Sequence, residues 1–151
     1  MEEQTLPYHI LLAEDSESDA GIVRLALQNQ GLDHVLHLAR DGEEAINFIQ
    51  KADNGLQAVI DLLLLDMHLP KYDGKEILKR LRSTKLYAQI PVVVMTSFDA
   101  SHTRADGRTG VFYFQKPSSL DEMAQLGAFA RSILNGEKPL ALGAALAGKE
   151  G

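Results

Sequence analysis

The sequence contains no cysteine, no excess of basic residues and no long apolar run. Without cysteine the protein can form no disulfide, use no thiol nucleophile and bind no zinc through thiolates. Its formal net charge is -6 at pH 7, whereas a protein that follows a nucleic-acid backbone needs a basic surface to displace counterions. Direct DNA binding is therefore not expected.

Membrane and export signals are also missing from the sequence. The longest apolar stretch, residues 140–147, is far shorter than the roughly 20 residues that a membrane-spanning helix needs. The first residues lack the basic segment followed by an apolar segment that marks a secretory signal. We therefore expect a cytoplasmic protein without membrane contact.

The 151 residues are 45% hydrophobic and 24% charged, which suits one globular domain with a sizeable core. Short apolar runs too brief for stable helices predict five strands, at residues 9–13, 35–39, 62–65, 91–95 and 111–114. Segments with apolar residues at helical spacing lie between most of these runs. This alternation predicts βαβ units with right-handed crossovers, and hence an α/β doubly wound parallel sheet covered on both faces.

Capping signals indicate where the helices begin and end. Asp41, Asp73 and Ser119 each start a capping box, with Glu three residues later, and Gly31 is placed to end the first helix. The exception is the interval 99–110, where a fourth helix is expected. It contains two glycines and almost no large apolar side chain, so we expect helix four to be short or irregular.

Carboxylates follow two of the predicted strands. Glu14 and Asp15 come directly after the first strand, and Asp66 follows the third, where Pro70 constrains the exit loop. Because parallel strands end at the same edge of a sheet, these acids should meet there. Clustered carboxylates repel one another unless a hard cation binds between them, and Mg²⁺ prefers oxygen ligands. The sequence therefore predicts a Mg²⁺ site.

Thr96 and Lys116 should lie at the same edge, because they follow the fourth and fifth strands. A carboxylate beside a bound metal can act as nucleophile toward a phosphoryl group, and a lysine ammonium can neutralise charge on the transferred oxygens. Lys116 suits the second role. The Thr96 hydroxyl is a candidate trigger, since it can hydrogen-bond a phosphoryl oxygen and move with phosphorylation state.

The sequence resembles the receiver domain of two-component response regulators. The resemblance rests on the acid pair after the first strand, Asp66 after the third, Thr96-Ser97 after the fourth and Lys116-Pro117 after the fifth. It covers residues 6–135 and implies a flavodoxin-like receiver fold with strand order 2-1-3-4-5. Residues 69–74 and the long connection before the third strand are most similar to stand-alone regulators paired with phytochrome-type kinases. We expect residues 136–151 to form a short flexible tail without an effector domain.

The resemblance also implies a role for each residue of the site. Asp66 would accept a phosphoryl group from a sensor histidine kinase or a histidine phosphotransfer protein. Mg²⁺ would bind Asp15, Asp66 and the backbone carbonyl of His68 directly, and Glu14 through a water.

Lys116 would hold the phosphoryl group. Thr96 would act as the hydroxyl switch, Tyr113 would be the aromatic residue that rotates with it, and Ser97 is small enough to leave Asp66 accessible. The chain would then be a signalling module that is slowly dephosphorylated, rather than an enzyme with a separate substrate. Its output would pass through protein contacts with an unidentified target, and homodimerisation is left open.

Several other interpretations compete with this one. Taken singly, Asp66 could be a turn residue, Lys116 a surface charge and Thr96 an ordinary strand residue. A receiver-like scaffold that works without phosphorylation would be indicated by the loss of an acid, of Asp66 or of Lys116, and none of these is lost. A phosphatase would need a second Asp at position 68, which is His. A flavin domain would need a Gly-rich or Ser/Thr-rich phosphate-binding loop after the first strand, and the sequence has none there. We expect the His68 ring instead to shade the site and slow hydrolysis of the acyl phosphate.

Overall fold

The computed structural model describes residues 6–55, 58–71, 74–96 and 110–136. Their regular elements, in chain order, are β1 (Tyr8–Ala13), α1 (Glu17–Gln28), β2 (His34–Ala39), α2 (Gly42–Asp53), β3 (Leu62–Asp66), α3 (Gly74–Ser83), β4 (Val92–Thr96), β5 (Val111–Gln115) and α4 (Leu120–Leu134). Among these helices none is long and apolar enough to cross a membrane.

The strands form one five-stranded sheet in the order β2-β1-β3-β4-β5, and every neighbouring pair is parallel. The predicted fold class and strand order are therefore confirmed. Parallel neighbours require crossover connections, and the described helices pack on the two faces of the sheet. The order also places β1 and β3 side by side, so the two acid-bearing strand ends are neighbours.

The centre of the sheet is buried on both faces. Leu63 and Leu65 of β3 pack into a core layer with α2 and α3, whereas Leu62 and Leu64 pack into a second layer with α1 and α4. All of these leucines have no exposed surface. A continuous apolar run, rather than an alternating one, is what a parallel strand covered on both faces requires.

Side-chain caps begin three of the described helices. A capping oxygen accepts a hydrogen bond from the backbone N–H three residues later at Ser16, Asp41 and Ser119, over 3.2, 2.8 and 3.2 Å. This confirms the predicted helix starts at Asp41 and Ser119. Gly31, just after α1, has φ of 66°, a left-handed conformation that ends the helix as predicted.

Some predictions concern residues outside the described ranges. They include the cap at Asp73, residues 97–109 with most of the segment expected to form an irregular fourth helix, and the tail from residue 137 onward. The predicted boundaries of the receiver unit at residues 6 and 135 likewise remain predictions. The helix that we number α4 is the one predicted to begin after Ser119.

Candidate functional site

The register of the sheet brings the acids together. Ala13 is paired with Leu65, so the next residues, Glu14 and Asp66, reach the same edge at the same height. The Glu14 amide continues the ladder by donating to the carbonyl of Ala39 over 2.9 Å. Carboxylate oxygens of Glu14, Asp15 and Asp66 all lie within 4.8 Å of one another. The structure therefore assembles the three predicted carboxylates.

Glu14 is the most deeply buried of these acids. Its side chain has no exposed surface, and Oε1 accepts no hydrogen bond from any described residue, although the Nζ atom of Lys116 lies 3.1 Å away. Burial is the main reason that the pKa of Glu14 is raised to about 7, and the nearby Asp66 charge also raises it. Hydrogen bonds from the Ser16 amide and Lys116 oppose this shift. The surroundings of Glu14 thus disfavour its charged form, because they compensate its buried carboxylate only in part.

Asp66 is almost as buried and each of its oxygens has a donor. The residue is 3% exposed. Its Oδ1 atom accepts a hydrogen bond from the backbone N–H of His68 over 3.1 Å, and its Oδ2 atom lies 3.2 Å from the Nζ atom of Lys116. The turn after β3 and the cation after β5 therefore hold the Asp66 carboxylate in one orientation.

Lys116 connects the acids through its ammonium group. The Nζ atom lies 3.1 Å from Glu14, 3.0 Å from Asp19 and 3.2 Å from Asp66. Burial lowers the pKa of Lys116, but the hydrogen bonds to Asp19 and Glu14 and the charges of Glu14 and Asp66 outweigh it, so the pKa lies above its ordinary value. Lys116 is therefore a fixed positive charge beside Asp66.

Among the contacts that Lys116 makes with described residues, the one with Asp19 was not predicted from the sequence. Asp19 lies in the first turn of α1, where its backbone N–H donates to the Ser16 cap. Its side chain reaches across to Lys116 at the end of β5. The sequence does place Asp19 one helical turn after the acid pair, which was a signal that it could lie near the site. The sequence does not show which strand end that turn faces.

Thr96 is held at the same edge by the sheet. It is the last residue of β4, and its carbonyl accepts a hydrogen bond from the backbone N–H of Lys116 over 2.7 Å. Thr96 is 5% exposed. Tyr113 lies two residues before the end of β5 and is half-buried, and it packs against the core layer that contains α2 and α3. Ser97 lies outside the described residues.

The loop after β3 is fastened to the start of α2. The amide of Gly42 donates to the carbonyl of Pro70 over 3.0 Å. Lys71 has a left-handed φ of 73° and forms ion pairs with Asp41 and Glu43, over 3.4 and 3.8 Å. The His68 side chain is exposed within this loop. The loop that carries the predicted carbonyl ligand is therefore tethered to the body of the domain.

The donor set fits a hard divalent cation. All three side chains offer oxygen atoms, two of the three residues are buried, and the Oε1 atom of Glu14 lacks a hydrogen-bond partner among the described residues. Carboxylates suit Mg²⁺ and Mn²⁺, whereas a zinc or copper site would ordinarily include nitrogen or sulfur ligands. The chemistry of the residues thus agrees with the predicted magnesium site.

Comparison with known proteins establishes the family. The sequence model of the response regulator receiver domain family matches residues 10–126 of this chain. The chain belongs to this receiver family. Response regulator Rcp1 of Synechocystis sp. is 38% identical over 108 residues, which are 70% of this chain and 70% of that protein. The identification made from the motifs at the strand ends is confirmed.

Solved structures of receivers also share the fold. The crystal structure of the phosphorylated cyanobacterial phytochrome response regulator RcpA matches with a TM-score of 0.72 and 29% identity, and covers 88% of this chain and 98% of that chain. The Mn²⁺-bound form of Rcp1 matches with a TM-score of 0.67 and 32% identity, and covers 83% and 93%. The expected similarity to phytochrome-associated receivers is therefore confirmed.

Proposed function

We propose that this receiver domain accepts a phosphoryl group on Asp66 from a phosphohistidine, in a reaction that depends on Mg²⁺. The observation that carries the proposal is the ammonium group of Lys116, 3.2 Å from the buried Asp66 carboxylate within a cluster of oxygen ligands. The donor would be a sensor histidine kinase or a histidine phosphotransfer protein. This role fits the family, whose members respond to signals by changing phosphorylation state.

In the transfer, an oxygen of Asp66 attacks phosphorus as the N–P bond of the phosphohistidine breaks. The departing imidazole keeps the N–P electron pair and leaves as a neutral ring, because its other nitrogen already carries a proton. The product is an acyl phosphate on Asp66. The Lys116 ammonium then neutralises charge on a phosphoryl oxygen, and the His68 amide holds Asp66 in position for the attack.

Glu14, Asp15 and Asp66 would hold Mg²⁺, together with the backbone carbonyl of His68, and Glu14 would act through a water. When bound, the metal supplies positive charge that offsets repulsion between the carboxylates and the phosphoryl oxygens. Burial of Glu14 and Asp66 strengthens their attraction to the metal, because buried carboxylates have little water to screen their charge.

The phosphoryl signal would then pass through Thr96 and Tyr113. The carbonyl of Thr96 is fixed to the amide of Lys116, so the Thr96 hydroxyl lies on a strand end that borders the phosphoryl site. Tyr113 is half-buried and pairs across the sheet with Val94, two residues before Thr96. A change in the position of the hydroxyl could therefore be relayed to the surface of β5, and from there to a protein target.

The test is phosphorylation by acetyl phosphate, followed by intact mass spectrometry. We expect wild-type protein to gain one phosphoryl group in the presence of Mg²⁺ and to gain none after chelation. Asp66→Asn should gain none under either condition. Asp33→Asn makes the same replacement of a carboxylate by an amide at an exposed aspartate, and it should behave like wild type. Absence of an adduct in folded wild-type protein would instead favour a scaffold that works without phosphorylation.

A further inference from the structure

Three carboxylates share the ammonium group of Lys116. They belong to Glu14, Asp19 and Asp66, at 3.1, 3.0 and 3.2 Å from the Nζ atom. A lysine ammonium has three N–H donors. One contact to each acid uses all of them, so a phosphoryl oxygen on Asp66 can gain a hydrogen bond from Lys116 only when an existing contact opens.

The three contacts differ greatly in how easily they can open. The side chains of Glu14 and Asp66 are 0% and 4% exposed, whereas that of Asp19 is 42% exposed. A buried carboxylate that loses its cation is left without water to replace it, which is costly. A half-exposed carboxylate can be hydrated instead, so its ion pair contributes little. Asp19 is therefore the partner that Lys116 can release.

The position of Asp19 is fixed independently of its charge. Its backbone N–H is bonded to the Ser16 cap, and the following residue, Ala20, is buried against the core. The side chain therefore begins from a rigid first turn of α1 that faces the end of β5. Glu17, the other acid in the first turn of α1, forms no ion pair with Lys116 and lies 3.8 Å from Arg40 instead.

We propose that Asp19 is a positioning residue that restrains Lys116 in the unphosphorylated protein and gives it up to the incoming phosphoryl oxygen. The inference rests on the proposed phosphoacceptor function. Asp19 then sets part of the cost of moving Lys116 onto the phosphoryl group. Without the Asp19 carboxylate, Lys116 can contact the phosphoryl group without first breaking this ion pair, which favours the phosphorylated state.

Beryllofluoride, a mimic of the phosphoryl group, provides the test. With Mg²⁺ present, we expect Asp19→Ala and Asp19→Asn to bind beryllofluoride more tightly, Ala by about two- to fivefold, the range that a half-exposed ion pair allows, and Asn by less. The rate of phosphorylation by acetyl phosphate should also rise, more for Asp19→Ala than for Asp19→Asn. Fluorine NMR titration and intact mass spectrometry measure the two quantities. Unchanged or weaker binding by both variants would overturn the proposal.

Two controls separate the ion pair from a general effect of charge. Glu17→Gln removes one charge from the same helical turn, at a side chain that is 82% exposed, and should leave binding unchanged. A double-mutant cycle then compares Asp19→Ala in wild-type and Lys116→Met backgrounds by the acetyl phosphate rate. The effect of Asp19 should vanish when Lys116 is absent. An effect of equal size in both backgrounds would contradict a role through Lys116.

The outcome for the wild type distinguishes the two proposals. If wild-type protein forms no Asp66-dependent adduct, the phosphoacceptor function itself is wrong. If the adduct forms and the Asp19 variants match wild type, only the role of Asp19 is wrong.

Discussion

The charge balance at Lys116 determines how the site responds to substitution. The ammonium group lies within 3.2 Å of both Glu14 and Asp66, which are buried. Under the proposed function it would serve two competing purposes: it compensates the acids before phosphorylation, and it would contact a phosphoryl oxygen afterwards. A bound cation would compensate the same acids, so we expect Lys116 and Mg²⁺ to replace one another in part.

The first prediction is that Lys116→Met separates metal binding from phosphorylation. Removing the ammonium should strengthen Mg²⁺ binding by about tenfold, because one positive charge no longer opposes the cation. Phosphorylation by acetyl phosphate should slow at the same time by about a hundredfold or more, as expected for loss of a charge that stabilises the transferred oxygens. Calorimetric titration and intact mass spectrometry measure the two effects.

Lys75→Met is the matched control, since Lys75 is exposed on α3. It should leave both quantities near their wild-type values. Weaker Mg²⁺ binding by Lys116→Met would show that the lysine supports the metal site rather than competing with it.

The second prediction concerns the stability of metal-free protein. The folded-state pKa of Glu14, about 7, lies above its ordinary value of 4.5, so the folded protein holds a proton that the unfolded chain releases. This contribution to stability is complete below about pH 4.5 and is lost as pH rises toward 7. Glu14→Gln cannot titrate and should lose this dependence.

The measurement is the difference in Tm between wild type and Glu14→Gln, in chelator, between pH 5 and 8. The difference is used because the pKa of His37 is lowered by burial and by His9, and this acts in the opposite direction: its stabilisation is lost as pH falls below 6.5. The advantage of Glu14→Gln over wild type should grow as pH rises. A constant difference would contradict the assignment.

At the scale of elements, the packing of α1 against α4 places a strict limit on side-chain size. A Cβ atom added at Gly127 would lie 2.4 Å from the carbonyl oxygen of Ala26, closer than any real contact. The neighbour is backbone, so it cannot move aside as a flexible side chain would. Gly127 thus fixes the distance between the two helices, and α1 carries Asp19 toward Lys116.

The third prediction follows from this close contact. Gly127→Ala would gain helix propensity but must push the two helices apart, and overpacking of this kind costs about 1–3 kcal/mol. We expect a net loss of stability. Gly21→Ala is the control, because a Cβ atom there meets nothing within 4 Å. It should stabilise α1 by about 0.5–1 kcal/mol.

Chemical denaturation gives both free energies of unfolding. If Gly127→Ala raised the free energy of unfolding as much as Gly21→Ala does, the two helices would not be in close contact. Equal losses at both positions would contradict the open space around Gly21.

At the scale of the whole molecule, the metal site should couple to global stability. The proposed metal ligands come together only in the folded protein, so Mg²⁺ that binds them should favour folding. At one hundred times the dissociation constant, the stabilisation should be about 2.7 kcal/mol. The fourth prediction is a rise in Tm with Mg²⁺ for wild type and a smaller rise for Asp15→Asn.

Asp15 is exposed, so its substitution should change metal binding without a large change in the metal-free Tm. Asp33→Asn, also exposed, should respond to Mg²⁺ as wild type does. An equal Mg²⁺ response in Asp15→Asn would remove Asp15 from the set of proposed ligands.

Much of the fold could be predicted from the sequence because its signals are local. Apolar runs mark each strand, and the caps at Asp41 and Ser119 mark helix starts. The acids and Lys116 could be placed at one edge because parallel strands share an end. The contact of Asp19 with Lys116 could not, since it depends on the angle at which α1 meets the sheet and on the close approach allowed by Gly127.

The identity of the phosphorylated residue is the central claim, and borohydride reduction tests it most directly. Borohydride converts an aspartyl phosphate to homoserine, which peptide mass spectrometry can locate in the chain. After incubation with Mg²⁺ and acetyl phosphate, we predict homoserine at position 66 and at no other aspartate. Homoserine at Asp15 or Asp19, or none in protein that carries a phosphoryl adduct, would contradict the account.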